Sequence, residues 1–138
     1  MEKTFLSLRG CVMFVSAALL MTPALAAHHS FAAEYEGDKP VTVSGTVSKI
    51  EWANPHIYFT VDVKGEDGKA APWRFEGYPP NMLVRQGWKR NVTLKPGMEV
   101  TVFGWRSRLD PHHAASRYVT FADGRKMASG LPAGTGGQ

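Results

Sequence analysis

The sequence predicts a mostly β protein, a five-stranded OB-like Greek-key barrel with one short helix between strands 3 and 4. Three observations predict it. Apolar residues alternate with polar ones at period two in five separate stretches. One stretch, after Pro79-Pro80, leaves that period for a helical one. No alternation of strand and long helix occurs, which removes the parallel-sheet enzyme folds. Three strands, a helix and two strands, with the first strand long and bent, is the order of the OB-fold.

The elements follow in turn. Val41, Val43 and Val47 alternate with Thr42, Ser44, Thr46 and Ser48, with Gly45 at an inward position. Ile50 and Trp52 are offset by one from the valines, so the long first strand carries a bulge or sharp bend. Ile57, Phe59, Val61 and Val63 form the second strand, and Glu66-Asp67-Gly68-Lys69 the hairpin turn after it. Trp73 and Phe75 point inward from the third strand, which leaves Arg74 and Glu76 outward. Pro79-Pro80 opens a helix over 81–86, and Gly87 stands at its C-terminus. Lys95-Pro96-Gly97 turns the chain into Met98, Val100 and Val102. Residues 110–115 read as a loop, Val119 and Phe121 as the last long strand, and Asp123-Gly124 as the turn of a brief terminal hairpin.

The ends divide differently. Lys3 and Arg9, the apolar run 11–21 and Thr22-Pro23-Ala24-Leu25-Ala26 have the pattern of a secretory signal peptide. The run falls short of the roughly 20 apolar residues a membrane helix needs. Cleavage after Ala26 removes 26 of 138 residues and leaves 112; cleavage after Ala27 is equally compatible. With Lys3, Arg9 and Glu2 removed, 14 basic and 11 acidic residues give a net +3. Cys11 goes too, which excludes disulfide scaffolds, cysteine nucleophiles and thiolate metal sites. The expected product is periplasmic, with an N-terminal arm at 27–39, a domain at 40–130 and a disordered tail at 131–138.

Several motifs recur together: His28-His29-Ser30-Phe31, Gly45-Thr46-Val47, Trp52-Ala53-Asn54-Pro55-His56, Glu76-Gly77-Tyr78-Pro79-Pro80, Leu94-Lys95-Pro96-Gly97 and Asp123-Gly124-Arg125-Lys126. In this order they resemble a family of small exported bacterial proteins defined only as a domain of unknown function. The chain is also similar to periplasmic bacterial OB-fold proteins. The resemblance implies fold and localisation and carries no activity. The pair His112-His113 stands outside its pattern.

The histidines are the first candidates for chemistry. Cleavage after Ala26 frees Ala27-His28-His29, whose amine, backbone amides and third-residue imidazole suit the square nitrogen geometry of Cu(II) or Ni(II). Cleavage after Ala27 frees His28, whose amine and imidazole chelate one copper. His56 is the candidate for a further ligand, giving a metal set of His28, His29 and His56. It follows Asn54-Pro55 in the first hairpin, a loop that flanks the usual OB binding face. His112 and His113 fall in the other flanking loop, so all five histidines can share one rim. The competing reading has Asn54 and His56 bonding the turn and nothing else.

Aromatic residues offer a second candidate site. Trp52 and Tyr58 have the outward phase and, with Asn54 and Trp105, form a potential ligand groove. Nucleic acid is an unexpected partner at a net charge of only +3. No catalytic constellation is recognisable: Ser30 beside His29 is not a triad, and Glu51 and Glu76 read as solvent-exposed strand residues. Two functions remain. One is a periplasmic binding module for copper, another divalent metal or a small molecule. The other is an envelope protein–protein adaptor that uses its aromatic face and no metal.

Overall fold

A computed structural model describes residues 30–65, 67–130 and 132. Ala26, Ala27, His28, His29, the predicted signal segment and all of the tail except Pro132 lie outside the described residues. The element order is α1 (Ser30–Glu34), β1 (Tyr35–Glu51), β2 (Tyr58–Lys64), β3 (Ala70–Glu76), α2 (Pro80–Arg85), β4 (Glu99–Ser107), β5 (His113–Phe121) and β6 (Lys126–Ala128). Among the described residues the chain is mostly β, with six strands in one sheet and two short helices.

The sheet order is β3-β2-β1-β4-β5-β6, with antiparallel neighbours. A further, parallel pairing joins β3 to β5 through Arg74↔His113, Phe75↔Ala114 and Glu76↔Ala115. Five strands thus pair in a ring, β1-β2-β3-β5-β4, and β6 extends β5 beyond it. The long β1 serves two partners, with its first part against β4 and its last part against β2. The register shifts between Val47 and Lys49, where the valine phase gives way to that of Ile50. Gly45 lets this crossing happen, because a Cβ there would stand 2.3 Å from the Asp62 carbonyl oxygen.

Inward residues of the ring form the core, among them Val47, Phe59, Val61, Phe75, Val102 and Val119, each no more than 1 % exposed. The segment after β3 caps it. Pro80 starts α2, Leu83 is buried, and Gly87 ends the turn at φ 88°. Buried Trp88 donates its indole Nε1–H to the Ala128 carbonyl at 2.9 Å, tying this cap to β6.

The boundaries depart from expectation at two places. Residues 30–39, read from sequence as arm, form α1 and the start of β1, where Tyr35 is 4 % exposed and pairs with Ser107. Arg108 holds α1 in place, its backbone N–H bonded to the Glu34 carbonyl at 2.8 Å and its Nε–H to that of Ala32 at 2.9 Å. The second is 113–115, read as loop, which is the start of β5 because it pairs with β3. Alternation within one strand cannot reveal a pairing of that kind.

Candidate functional site

The parallel seam between β3 and β5 gathers the chemistry-bearing residues. Backbone bonds place His56 there: Ile57 receives the Gly77 N–H at 2.9 Å and donates its own N–H to Tyr78 at 3.2 Å. Tyr58 lies directly across from Glu76 in the β2–β3 register, on the face opposite buried Phe59 and Phe75. His113 enters from β5 opposite Arg74. Tyr35 arrives from the start of β1.

These side chains form one hydrogen-bonded chain. Glu76 uses both carboxylate oxygens: Oε1 accepts from His56 Nδ1 and Oε2 accepts from the Tyr35 hydroxyl. The Tyr35 oxygen is 2.9 Å from His113 Nε2. Because the Tyr35 proton is committed to Glu76, His113 Nε2–H is the donor in that contact. In the neutral tautomer that donates through Nδ1, His56 carries its lone pair on Nε2, an atom with no partner among the described residues.

Burial and charge agree with this proton arrangement. Burial, reinforced by the bond to Glu76, pushes the Tyr35 hydroxyl well above the ordinary tyrosine range, so it stays a donor. Burial also lowers His113 below the usual imidazole value and keeps it neutral near pH 7. Tyr58 is raised by burial and then by the negative charge of Glu76. The Arg74 guanidinium covers the Tyr58 ring at 3.9 Å and donates to Glu51 at 3.2 Å.

Beside the cluster is a cleft of about 210 Å³, walled by Phe31, Tyr78, Pro79 and Met82 and edged by Tyr35, His56 and Glu76. The Phe31 ring lies 5.3 Å from that of Tyr35. The His56 side chain is 41 % exposed and Glu76 only 14 %, so the histidine is the member that faces a visitor. A wider groove of about 520 Å³, over Ser44, Thr46, Asp62 and Thr101, contains none of these residues.

The sequence-predicted positions separate. His56 belongs to the cluster, and Tyr58 borders it, its ring 6.3 Å from that of His113. Asn54, joined to Pro55 by a cis peptide bond, is exposed in the loop. Trp52 corrects the outward assignment, for it packs against the core. Trp105 instead meets Phe103 edge-on at 5.3 Å, so no ring contact joins Trp52, Tyr58 and Trp105 among the described residues. The two late histidines part company. His113 is in the cluster, whereas His112 sits edge-on to Trp73 at 5.3 Å. His28 and His29 lie outside the described residues, and among the described residues no group of three His, Cys, Asp or Glu can hold a metal by itself.

Of the cluster's members beyond His56, the sequence offers His113 only as one of five histidines on a shared rim, gives Glu76 an exposed position, and gives Tyr35 no site role. Glu76 was set aside as exposed because its strand phase is outward. The seam shelters that outer face, which corrects the assignment. The available signal was the closeness of Glu76-Gly77-Tyr78-Pro79-Pro80 to the turn of His56, once β2 and β3 are paired as a hairpin.

Fold and site together define a small β protein with a His–Glu–Tyr–His hydrogen-bonded cluster at the seam that closes its ring of strands. The chain belongs to a family of unknown function (DUF6152), whose model matches residues 16–118, a span that includes Tyr35, His56, Glu76 and His113. No curated protein and no solved structure matches it.

Proposed function

We propose that this protein is an exported, OB-like binding module that holds a copper ion at the β3–β5 seam. One observation carries the reading: Glu76 fixes His56 by its Nδ1–H and leaves Nε2 unpartnered on a half-exposed ring. A carboxylate behind a histidine is the usual support for a metal-ligating imidazole, setting its tautomer and raising its basicity. The OB-like assignment rests on the ring order, the parallel β3–β5 pairing and the helix between β3 and β4.

The remaining ligands come from the exported N-terminus. Phe31 lines the cleft, His28 is three residues before it, and three residues of chain reach about 10 Å. If processing cuts after Ala27, the His28 amine, the His28 imidazole and His56 Nε2 make three nitrogens, with His29 next in line as a fourth. Nitrogen-rich tetragonal sets favour Cu(II). Tyr35 and His113 do not ligate; they hold Glu76 and so the orientation of His56.

Mass spectrometry of the protein recovered from the periplasm fixes its first residue. Competitive copper titration of that form is then compared with His56→Ala and with His28→Ala/His29→Ala. The reading expects the affinity to fall in both, by about 10-fold or more for each lost ligand, since second-shell changes alone cost 10–100-fold. A His56→Ala protein that binds copper as tightly as the parent sinks the seam site. It would leave only chelation by a free N-terminal peptide.

A further inference from the structure

We propose that the end of α2 and the segment from it to β4 form a docking tip that seats the protein on an anionic phospholipid surface. Residues 77–98 contain no Asp or Glu, although the chain has 12 in all, and they carry Arg85, Lys89, Arg90 and Lys95. All four are exposed, and none forms an ion pair among the described residues. Next to Arg85 stands Val84, and between Arg90 and Lys95 stands Val92, 57 % and 60 % exposed and among the most exposed large apolar side chains of the described residues.

The backbone presents them rigidly. Trp88 and Leu94 are buried at 1 % and 2 %, so both ends of the turn are rooted in the core. The Thr93 hydroxyl accepts the Lys89 N–H at 2.8 Å, and the Lys89 carbonyl accepts from Val92 at 3.1 Å and Thr93 at 2.9 Å. Asn91 takes a left-handed φ of 59° to close this turn. Lys89 to Val92 are thereby left outside the core, all four exposed.

Exposed cations without ion pairs among the described residues, interspersed along the chain with exposed valines, suit a surface that offers negative headgroups above an apolar layer. The cations supply attraction within about 10 Å of the charge plane, and the valines enter the boundary below it. Among the described residues no helix is long and apolar enough to cross a membrane, so attachment is peripheral. Each cation near such a surface contributes roughly fivefold in partition. The tip does not depend on the copper reading, because no residue of the cluster belongs to it.

Co-sedimentation of the mature protein with vesicles of equal phosphatidylglycerol and phosphatidylcholine, against pure phosphatidylcholine, tests this. Binding is expected only with phosphatidylglycerol and is expected to weaken with salt. Lys89→Gln/Arg90→Gln/Lys95→Gln is expected to lower partition by roughly 100-fold, three such factors together. Val84→Ser/Val92→Ser is expected to lower it while preserving the salt dependence, and circular dichroism checks that both variants fold. Equal binding to both vesicle types overturns the proposal, as does an unchanged triple variant. Tight binding to heparin with none to phosphatidylglycerol vesicles also overturns it, in favour of a soluble polyanion. Should the triple variant not fold, the lipid and salt dependence of the parent protein still decides.

Discussion

Replacing Glu76 with Gln changes one atom and tests whether the seam cluster is a unit. In the parent, two charge-assisted bonds converge on this carboxylate, from buried Tyr35 and from His56. A hydrogen bond to a charged group is worth about 1.5–3 kcal/mol and a neutral one about 0.5–1.5. The Tyr35 bond is sheltered and retains most of that difference. The His56 side chain is 41 % exposed, so solvent reduces its share to about 0.5 kcal/mol. The amide can accept from only one of the two donors, and its NH2 then faces the other group. Against this, burying an amide costs less than burying a carboxylate. The net loss is about 1–2 kcal/mol, a fall in Tm of roughly 4–10 °C for a domain of this size. Urea denaturation at pH 7.5 of Glu76→Gln, Tyr35→Phe and the double variant measures both loss and coupling. Coupling of about 1 kcal/mol is expected between Tyr35 and Glu76. A Glu76→Gln protein within 0.3 kcal/mol of the parent, with effects that add to within about 0.3–0.5 kcal/mol, would refute the account of the cluster.

Two further outcomes follow from the same structure. Burial holds His113 below its usual pKa of 6.5, so the unfolded chain binds more protons than the folded one below that pH. Stability should therefore fall as pH drops from 7 towards 5, by at most about 1.4 kcal/mol per unit from this group, and His113→Gln should flatten that slope; an unaltered slope contradicts the assignment. Gly104→Ala would place a Cβ 2.0 Å from the Ala115 carbonyl oxygen, where only backbone movement relieves the clash. A loss at or above the upper end of about 1–3 kcal/mol is expected in denaturant titration, and parental stability would contradict the close β4–β5 approach.

Much of the fold was legible along the chain because it is local. The valine series, the phase change before Ile50, the Pro79-Pro80 helix start and the Gly68, Gly97 and Gly124 turns each depend on neighbours in sequence. The bulge stands where the phase change required it, and these three glycines have positive φ. The parallel β3–β5 pairing joins segments nearly 40 residues apart, and no local pattern encodes it. The site was hidden for that same reason. His56 was visible because Asn54-Pro55 marks its turn. Glu76 looked like an ordinary outward strand residue until β5 and Tyr35 closed over it. Trp52 takes the core side because the register shift between Val47 and Lys49 resets the strand phase: Ile50 pairs with buried Phe59, and both Ile50 and Trp52 pack against the core.

The most direct test of the central claim, that His56 completes a copper site with the exported N-terminus, is pulsed EPR of the Cu(II) complex of the mature protein. The account predicts coupling from a remote imidazole nitrogen of His56 that disappears in His56→Ala, with one fewer nitrogen in the equatorial set. Spectra that are the same for the parent and His56→Ala would contradict it and confine any copper to the N-terminal histidines alone.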